Sequence, residues 1–441
     1  MKNTLLSEIA RRLGVSLEEG GVVISNYQID SRLVTDGTLF FALPGERVDG
    51  HLYLQEVRER GGVAAVVSKG YAGPGHGLEL LGVEDVGESL RELARQWVQD
   101  RPARIVGITG SVGKTTTKEC VAALLGEKFR TGKSPASYNT KVTLPLTLLN
   151  RQGDEEVLVL EMGASEPGDI RRLIEIAPPE IAVITKVALC HVGQYPGGLA
   201  QILEEKATIF SHASTRLAVY DHSLQLSLAV ERVTFSLEDR AADYFLSAIE
   251  GKYIVDERGV RAYAFELPFK EGHLLHDFLA AVAVARSLGL SWDEIQQRVA
   301  FIERPKMRFE RFEKNGIVFI NDAYNANPES MRAALAHFPE TKEGGKKIAV
   351  LGTMKELGAF SEGEHREIGR FAQKFVDHLI VLGEEATPLY EGFQEVKKPA
   401  ELYLQLSDVA ARLQELMSPG DAVLVKGSRS LEMETLFHLL P

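Results

Sequence analysis

The stretch GITGSVGKTTTKE, residues 107–119, decides the fold of the segment around it. It follows a β-branched run, RIVGIT (104–109), and precedes apolar residues at Val121, Leu124 and Leu125, so it joins a buried strand to an amphipathic helix. A loop in this position surrounds a phosphate with backbone N–H groups and a helix N-terminus. We therefore predict a phosphate-binding loop in which Lys114 is a mobile cation and Thr115 a Mg²⁺ ligand, formed by Gly110, Ser111, Val112, Gly113, Lys114, Thr115 and Thr116.

The loop departs from the strict Walker A pattern, because Ile108 stands where that pattern has its first glycine. The shorter GxxGKT pattern remains. A chance glycine-rich turn is the alternative, but the strand, the loop and the helix occur in the order that phosphate binding requires.

Composition limits the class of protein. With 441 residues and 44% hydrophobic content, the chain is long enough for two or three domains, and we expect three. A net charge of −12 argues against a nucleic-acid surface, and the apolar run FLAAVAVA (278–285) is too short to span a membrane. Two distant cysteines, Cys120 and Cys190, favour a reducing cytoplasm over a disulfide framework.

The order of strand-like and helix-like segments predicts an α/β protein. TLFFAL (38–43) and VAAVVS (63–68) indicate a small α/β domain over residues 1–102. RIVGIT, VLVLEM (157–162) and IAVIT (181–185) alternate with helices and predict a mostly parallel sheet in a nucleotide domain over 103–339. After the linker-like ETKEGGKK (340–347), strands IAVLG, LIVLG and AVLVKG predict a Rossmann-like domain over 340–441.

Three further residues are candidates for chemistry near the loop. Glu161 ends a buried strand at the edge where parallel sheets bind ligands, so it is either a Mg²⁺ ligand or a turn residue. His191 follows the next strand and is either a metal ligand or a structural histidine. Lys206, in EEKATIF, lies on a predicted helix, and composition alone favours a solvated lysine there.

Two polar segments follow later strands. NDAYNANPES (321–330) succeeds an apolar strand, and its amides either read a base and ribose or cap the helix that begins near Pro328. The nucleotide-binding candidates in this segment are Asn321, Asp322, Asn325 and Asn327. KGSR (426–429) ends the last strand, and its two cations either meet a carboxylate or phosphate or are solvated at a turn.

Taken together, these motifs resemble the Mur ligases. The resemblance covers the whole chain, and the branch that adds D-alanyl-D-alanine to UDP-N-acetylmuramoyl-tripeptide is the most similar. NDAYNANP and KGSR are more specific than the phosphate loop. The motifs that carry the resemblance are GSVGKTTTKE, LEMGAS (160–165), DSR (30–32), GTLFFALPGERVDGH (37–51), NDAYNANPES, LGTMKELG (351–358) and KGSRSLEME (426–434).

The resemblance implies an ATP-dependent ligase of cytoplasmic peptidoglycan precursor synthesis that forms an amide through an acyl phosphate. It implies a UDP-sugar domain, a central ATPase domain and a Rossmann-like C-terminal domain, with ATP and two Mg²⁺ ions as cofactors and a monomer as the active form. The substrates would be UDP-N-acetylmuramoyl-tripeptide and D-alanyl-D-alanine, and the third residue of the tripeptide, lysine or diaminopimelate, stays open.

Residue roles follow from the same resemblance. Thr115 and Glu161 would bind Mg²⁺, His191 would assist a second ion, and Lys206 would be carbamylated and coordinate metal. The amides of the NDAYNANP segment would contact adenine and ribose. Substrate contacts are expected from five residues: Ser31 and Arg32 near the UDP group, and Lys426, Ser428 and Arg429 near the peptides.

Four positions differ from the family pattern. Lys186 stands where asparagine is usual, Thr353 where aspartate is usual, and Leu274 and Asp277 where the family favours asparagine.

Two other functions are alternatives to the ligase that the resemblance implies. They are another ligase of the superfamily, such as a folylpolyglutamate synthase, and a nucleotide-dependent regulatory protein. DSR and NDAYNANP argue against the first, and the combination of Glu161, His191 and Lys206 argues against the second.

Overall fold

The computed structural model describes residues 3–17, 21–45, 48–249, 251–342 and 344–440. Residues 46 and 47 of the GTLFFALPGERVDGH motif lie outside this part of the chain. Three main sheets of four, nine and six strands follow one another along the sequence, beside a small two-stranded sheet. The predicted three-domain α/β architecture is confirmed.

The N-terminal unit is a four-stranded parallel sheet with helices packed against it. Its central strands are apolar on both faces, as expected when helices cover a parallel sheet. The last helix buries Leu90, Leu93, Ala94 and Trp97 on one face, and the Asp85 side chain caps its first turn. The strands are β1 Thr4–Leu5, β2 Val23–Ile24, β3 Asn26–Gln28, β4 Thr38–Phe41, β5 Gly62–Ser68 and β6 Glu79–Val83; the helices are α1 Leu6–Arg12, α2 Leu54–Glu59 and α3 Val86–Asp100.

The central unit is a nine-stranded sheet, parallel except for a hairpin extension at one edge. The predicted strands of this region appear at the expected residues. Its strands are β7 Arg104–Thr109, β8 Thr131–Lys133, β9 Val157–Glu161, β10 Ile181–Ile184, β11 Leu217–Asp221, β12 Glu231–Ser236, β13 Tyr244–Ile249, β14 Lys252–Glu257 and β15 Val260–Phe265. Its helices are α4 Lys114–Leu125, α5 Thr143–Leu149, α6 Asp169–Ile176, α7 Gly198–Ala207, α8 Gly272–Ser287 and α9 Trp292–Val299.

Strand order places a crevice beside the phosphate loop. The order is β15-β14-β13-β12-β11-β10-β7-β9-β8, so the chain passes from β9 to β10 across β7. Ligands of open α/β sheets bind at the carboxyl ends of strands at such a reversal. The apolar run FLAAVAVA is fully buried in α8, which packs against α4. Among the described helices, none combines the length and apolarity needed to cross a membrane.

The third unit is a six-stranded sheet in the order β16-β17-β21-β18-β19-β20, antiparallel only at β16. The predicted start at residue 340 is wrong, because the strand of the NDAYNANP segment pairs with β21 of this sheet rather than with the central one. The third unit therefore already includes residue 310, whereas the expected first boundary lies in the connection between α3 and β7. The strands are β16 Glu310–Lys314, β17 Ile317–Asn321, β18 Lys347–Gly352, β19 His378–Leu382, β20 Ala400–Tyr403 and β21 Ala422–Lys426; the helices are α10 Pro328–Ala336, α11 Ser361–Ala372, α12 Thr387–Gln394, α13 Leu406–Leu416 and α14 Leu436–Leu439.

Candidate active site

A cavity of about 950 Å³ lies at the carboxyl ends of β7, β9 and β10. Side chains of the central unit and of the third unit both line it, so the site is formed between two sheets. Its size suits a nucleotide-sized ligand. All seven predicted loop residues belong to its wall: Gly110, Ser111, Val112, Gly113, Lys114, Thr115 and Thr116.

Two glycines give the loop its shape. Gly113 precedes α4 with a φ of +89°, and a Cβ there would lie 2.1 Å from Oδ1 of Asp277. Gly110 has a φ of +152°, and a Cβ there would lie 1.9 Å from Oγ1 of Thr185. Both positions therefore require glycine. The following helix begins with N–H groups that have no partner inside the helix, which is the arrangement that binds a phosphate.

Lys114 and Thr115 occupy the first turn of α4. The Lys114 ammonium folds back over the loop and donates a hydrogen bond to the Gly110 carbonyl at 2.8 Å. Thr115 is buried, and its hydroxyl donates to Oε2 of Glu161 at 2.8 Å. The lysine is therefore held beside the glycine-rich loop, and the threonine faces a carboxylate.

Glu161 and Thr115 fit a Mg²⁺ site. Glu161 is 1% exposed, and its other oxygen accepts a hydrogen bond from Nδ2 of Asn139 at 2.7 Å. Within the described ranges, no lysine, arginine or histidine forms an ion pair with this carboxylate. A buried carboxylate without a cation is costly, and Mg²⁺ prefers a carboxylate, a hydroxyl and phosphate oxygens. No group of three His, Cys, Asp or Glu residues assembles in the same described ranges, so phosphate oxygens would complete the coordination.

Arg308 is a site residue that the sequence patterns did not indicate. It comes from the connection between α9 and β16, and its guanidinium donates to Oγ1 of Thr115 at 3.0 Å and lies 4.2 Å from the centre of the Tyr324 ring. The neighbours Met307 and Phe309 both have positive φ, so the backbone turns sharply on each side of it. The arginine thus supplies a second positive charge to the phosphate site from outside the central sheet.

We expect Arg308→Ala to lower kcat by roughly ten- to a hundredfold, because a fixed donor to developing charge is lost. Arg308→Lys should recover only part of the rate, since an ammonium lacks the planar fork and the stacking on Tyr324. Arg311→Ala, at a neighbouring exposed arginine, is the control. Steady-state kinetics measure the effect, and an unchanged kcat in Arg308→Ala would remove Arg308 from the site.

Lys206 and His191 both line the cavity. Lys206 lies on α7, as predicted, but it is 2% exposed, so the interpretation as a solvated lysine is wrong. Burial lowers the pKa of its ammonium to about 8. Among the side-chain hydrogen bonds and ion pairs of the described residues, none involves this ammonium. His191 has a φ of +53°, and its Nδ1 lies 2.5 Å from Oε2 of Glu356 in the third unit.

The NDAYNANP segment separates into lining and structural residues. Asp322, Asn325 and Asn327 line the cavity, although Asn327 also caps α10 through the Ser330 N–H. Asn321 is not part of the wall, and its side chain contacts Glu310 and the backbone of Ala323. The structure therefore does not bring Asn321 to the predicted nucleotide.

The KGSR segment does not present three free groups to a substrate. The Lys426 ammonium is buried. It forms an ion pair with Oδ2 of Asp322 at 2.7 Å and donates a hydrogen bond to the Asn325 carbonyl at 2.9 Å. Ser428 is buried and accepts a hydrogen bond from the Lys355 N–H, whereas Arg429 pairs with Glu434. Lys426 thus holds the NDAYNANP segment in place, and Ser428 and Arg429 are not part of the cavity wall.

The predicted UDP-binding pair lies in the N-terminal unit, outside the cavity wall. The Ser31 hydroxyl donates to Oε2 of Glu56 at 2.8 Å. The Arg32 side chain is 78% exposed, with its guanidinium against Asp30. Arg32 is therefore available to a ligand on this surface, while Ser31 is engaged within the fold.

A buried ion pair forms another part of the wall. Nε2 of His276 lies 2.6 Å from Oδ2 of Asp221, and Nδ1 faces Asp277 at 3.8 Å. Burial opposes the charged histidine, but the two carboxylates outweigh it and raise the pKa of His276 to about 9. Burial likewise opposes the charged carboxylate of Asp221, and the hydrogen bond and charge of His276 lower its pKa to about 2.

This pair predicts a pH dependence of stability. A raised histidine pKa gives stability that is complete below about pH 6.5 and is lost as the pH rises through about 9. We expect His276→Gln to lower Tm clearly at pH 6 and much less at pH 9.5, where most of the wild-type histidine is neutral. Thermal unfolding of both proteins across this range measures the difference. A Tm difference that does not change with pH would contradict the assignment.

Side-chain contacts link the central and third units across the cleft. Nζ of Lys186 lies 2.5 Å from Oε1 of Glu329, and His191 meets Glu356. Lys186 is one of the departures from the family pattern, and its pair is partly exposed, so its contribution is about 0–1 kcal/mol. Of the other positions that differ from the family pattern, Leu274 and Asp277 line the cavity. Thr353 is buried, and its backbone carbonyl accepts a hydrogen bond from the Ser428 N–H.

The fold and the cavity define a class of protein: an α/β enzyme in which a glycine-rich loop of the central unit and side chains of a third, Rossmann-like unit line one cavity. Comparison with known proteins is consistent with this. Three family models match in order along the chain: "Mur ligase family, catalytic domain" over residues 23–96, "Mur ligase middle domain" over 108–285, and "Mur ligase, glutamate ligase domain" over 307–429.

The chain belongs to the Mur ligase family. It is 31% identical over 427 residues to the UDP-N-acetylmuramoyl-tripeptide--D-alanyl-D-alanine ligase of Bacillus subtilis, with 94% of this chain and 92% of the relative covered. A MurF structure from Acinetobacter baumannii matches with a TM-score of 0.86 at 26% identity, covering 99% and 98% of the two chains. MurF from Thermotoga maritima, solved with ADP, matches with a TM-score of 0.78 at 31% identity, covering 94% and 96%.

Proposed function

We propose that this protein joins D-alanyl-D-alanine to UDP-N-acetylmuramoyl-tripeptide in an ATP-dependent amide ligation of peptidoglycan synthesis. The observation that carries the proposal is one cavity in which the phosphate loop, the buried Glu161 and the buried Lys206 meet. The relatives and structures that match most of the chain bear the names of this ligase.

The chemistry proceeds in two transfers. A carboxylate oxygen of the tripeptide attacks the γ-phosphorus of ATP, the bond to the β-phosphate oxygen breaks, and ADP leaves with the electron pair. The amino nitrogen of the dipeptide then attacks the acyl carbon, loses a proton, and expels inorganic phosphate. Both transition states spread negative charge over oxygens, so fixed cations accelerate them.

The residues of the cavity support these steps. Lys114 and Arg308 would supply positive charge at the phosphate end. Because the central and third units both line the cavity, their closure would exclude water that hydrolyses the acyl phosphate. Thr115 and Glu161 would hold a Mg²⁺ ion, which neutralises phosphate charge when bound.

We also propose that Lys206 carries a carbamate and that His191 lies near a second metal ion. The support is the buried ammonium of Lys206 and its lowered pKa, because CO₂ reacts only with a neutral amine. A carbamate would convert this cation into an anion able to coordinate metal. Asp322, Asn325 and Asn327 line the cavity and would contact the nucleotide. The N-terminal unit with the exposed Arg32 would receive the UDP group. A monomer in a reducing cytoplasm stays our prediction; both cysteines are free.

The test is phosphate release from ATP with each substrate omitted in turn. The proposal predicts release only when the UDP-linked tripeptide and the dipeptide are both present. Release with a folate and glutamate would favour a folylpolyglutamate synthase, and release with neither substrate would favour a regulatory ATPase. Parallel assays with lysine and diaminopimelate tripeptides identify the third residue.

A further inference from the structure

Lys118 is a buried lysine that the reaction described above does not use. It lies on α4, one turn after Lys114, and its side chain is 0% exposed. Its ammonium donates to the Ser134 carbonyl at 2.8 Å and to the Ala136 carbonyl, and it lies 3.1 Å from Oε1 of Glu119. A lysine is almost never buried this completely unless its donors are satisfied, so the two carbonyls are specific partners.

Both carbonyls belong to one loop, residues 134–139, which follows β8 and has the sequence SPASYN. The loop is attached to β9 at its start, since the Ser134 N–H donates to the Val159 carbonyl at 3.1 Å. Ala136 has a φ of +44°, a left-handed backbone conformation that is unfavourable for a non-glycine residue. The hydrogen bond from Lys118 to the Ala136 carbonyl therefore holds the loop in a shape it would not adopt alone.

The same loop carries two side chains that touch the candidate metal ligands. Oγ of Ser137 lies 3.3 Å from Oγ1 of Thr115, and Nδ2 of Asn139 donates to Oε1 of Glu161 at 2.7 Å. The Asn139 carbonyl also accepts from the Gly163 N–H at 2.8 Å, just after β9. The loop thus sets the orientation of both Thr115 and Glu161.

We propose that Lys118 is a positioning residue, which fixes the 134–139 loop and through it aligns Thr115 and Glu161 for the nucleotide-bound cation. Lysine suits this task because its three N–H donors reach two carbonyls and a carboxylate that point in different directions. Lys118 and Lys114 lie four residues apart on α4, so one helix turn supplies both the cation of the phosphate loop and the anchor of the adjoining loop.

The first test measures order in the loop and needs no turnover. In Lys118→Met we expect amide hydrogen exchange in residues 136–140 to rise at least tenfold, while exchange in β7 and β9 stays at the wild-type rate. Lys128→Met, at a half-exposed lysine just after α4, is the matched control. Wild-type exchange rates in this loop would overturn the proposal. This readout is independent of the proposed function.

The second test measures function and rests on the proposed ligase activity. We expect Lys118→Met to raise the Mg²⁺ concentration needed for half-maximal rate about tenfold and to leave KM for the UDP-linked tripeptide within about twofold. A merely structural lysine would change both constants or neither. If Lys118→Met alters the Mg²⁺ dependence while amide exchange in the loop stays at the wild-type rate, Lys118 does not act through the loop and the proposal is contradicted. If the wild-type protein has no ligase activity, that result counts against the ligase proposal alone.

A double-mutant cycle with Asn139→Ala tests whether Lys118 acts on the Mg²⁺ requirement through Asn139. If Lys118 acts through Asn139, the double variant should need no more Mg²⁺ than the worse single variant. If the two single-variant effects on the Mg²⁺ requirement multiply in the double variant, the proposal is overturned. If Lys118→Met does not fold, Lys118→Gln, which keeps two N–H donors at similar volume, replaces it throughout and should show intermediate loop exchange. Wild-type loop exchange in that variant would equally count against Lys118 as the anchor.

Discussion

We expect the replacement of Lys114 with alanine to lower kcat by about 10³-fold and to leave Tm within a few degrees of wild type. The loss is large because this ammonium lies over the phosphate loop, bonded only to the Gly110 carbonyl among the side-chain contacts of the described residues, and is free to follow the transferring charge. The fold is retained because the contact is local and half-buried, so little packing is lost.

The matched control is Lys128→Ala, at a lysine just after the same helix, which should keep the wild-type rate. Steady-state phosphate release and thermal unfolding measure the two effects. Turnover of Lys114→Ala within about threefold of wild type would remove the phosphate loop from the mechanism.

We expect the replacement of Lys206 with arginine to abolish measurable ligation, although the positive charge is kept. With a pKa of about 8, roughly a quarter of the Lys206 amines are neutral at pH 7.5, against about a thousandth for an ordinary lysine. Arginine stays protonated and forms no carbamate. We therefore expect the wild-type protein to lose activity in CO₂-depleted buffer and to regain it with bicarbonate.

Two controls make this result specific. Lys206→Met should fold with a Tm at or above that of wild type, because it removes a buried cation, but it should remain inactive in bicarbonate. Lys141→Arg, at a half-exposed lysine of the central unit, should keep the wild-type response to CO₂. Near-normal turnover of Lys206→Arg would contradict the carbamate and leave Lys206 as a buried structural lysine.

The sequence predicted the elements whose signals are local. RIVGIT, the glycine loop and the helix after it are adjacent in the chain, and β7, Gly113 and α4 appear at those residues. The boundary at 340 was wrong because ETKEGGKK resembles a linker locally, whereas the pairing of β17 with β21 joins residues about 100 positions apart. Strand pairing at that distance leaves no mark on local composition.

The difference between local signals and long-range contacts also explains which residues of the candidate site the sequence indicated. The sequence indicated Glu161 and Thr115 as candidates because strand ends and loop motifs have recognisable patterns, and the structure brings the two side chains together at the cavity. Arg308 was missed because its contact with Thr115 spans 193 residues and its own segment has no periodicity. The polar run around Asn139 after β8 is a local signal that indicates a further site residue, because Asn139 donates to Glu161. For Lys206 the local signal was misleading, because its flanking glutamates suggest an exposed side chain. Its burial follows from the packing of α7 and is seen only in the structure.

In the proposed reaction, ATP activates the tripeptide carboxylate as an acyl phosphate. The most direct measurement uses tripeptide labelled with ¹⁸O in the reacting carboxylate, incubated with ATP and D-alanyl-D-alanine, followed by mass analysis of the released phosphate. The mechanism predicts one labelled oxygen in each phosphate formed, because the carbon–oxygen bond breaks when the amine attacks. Amide product accompanied by unlabelled phosphate would show that the carboxylate oxygen never bonded to phosphorus, and would contradict the mechanism.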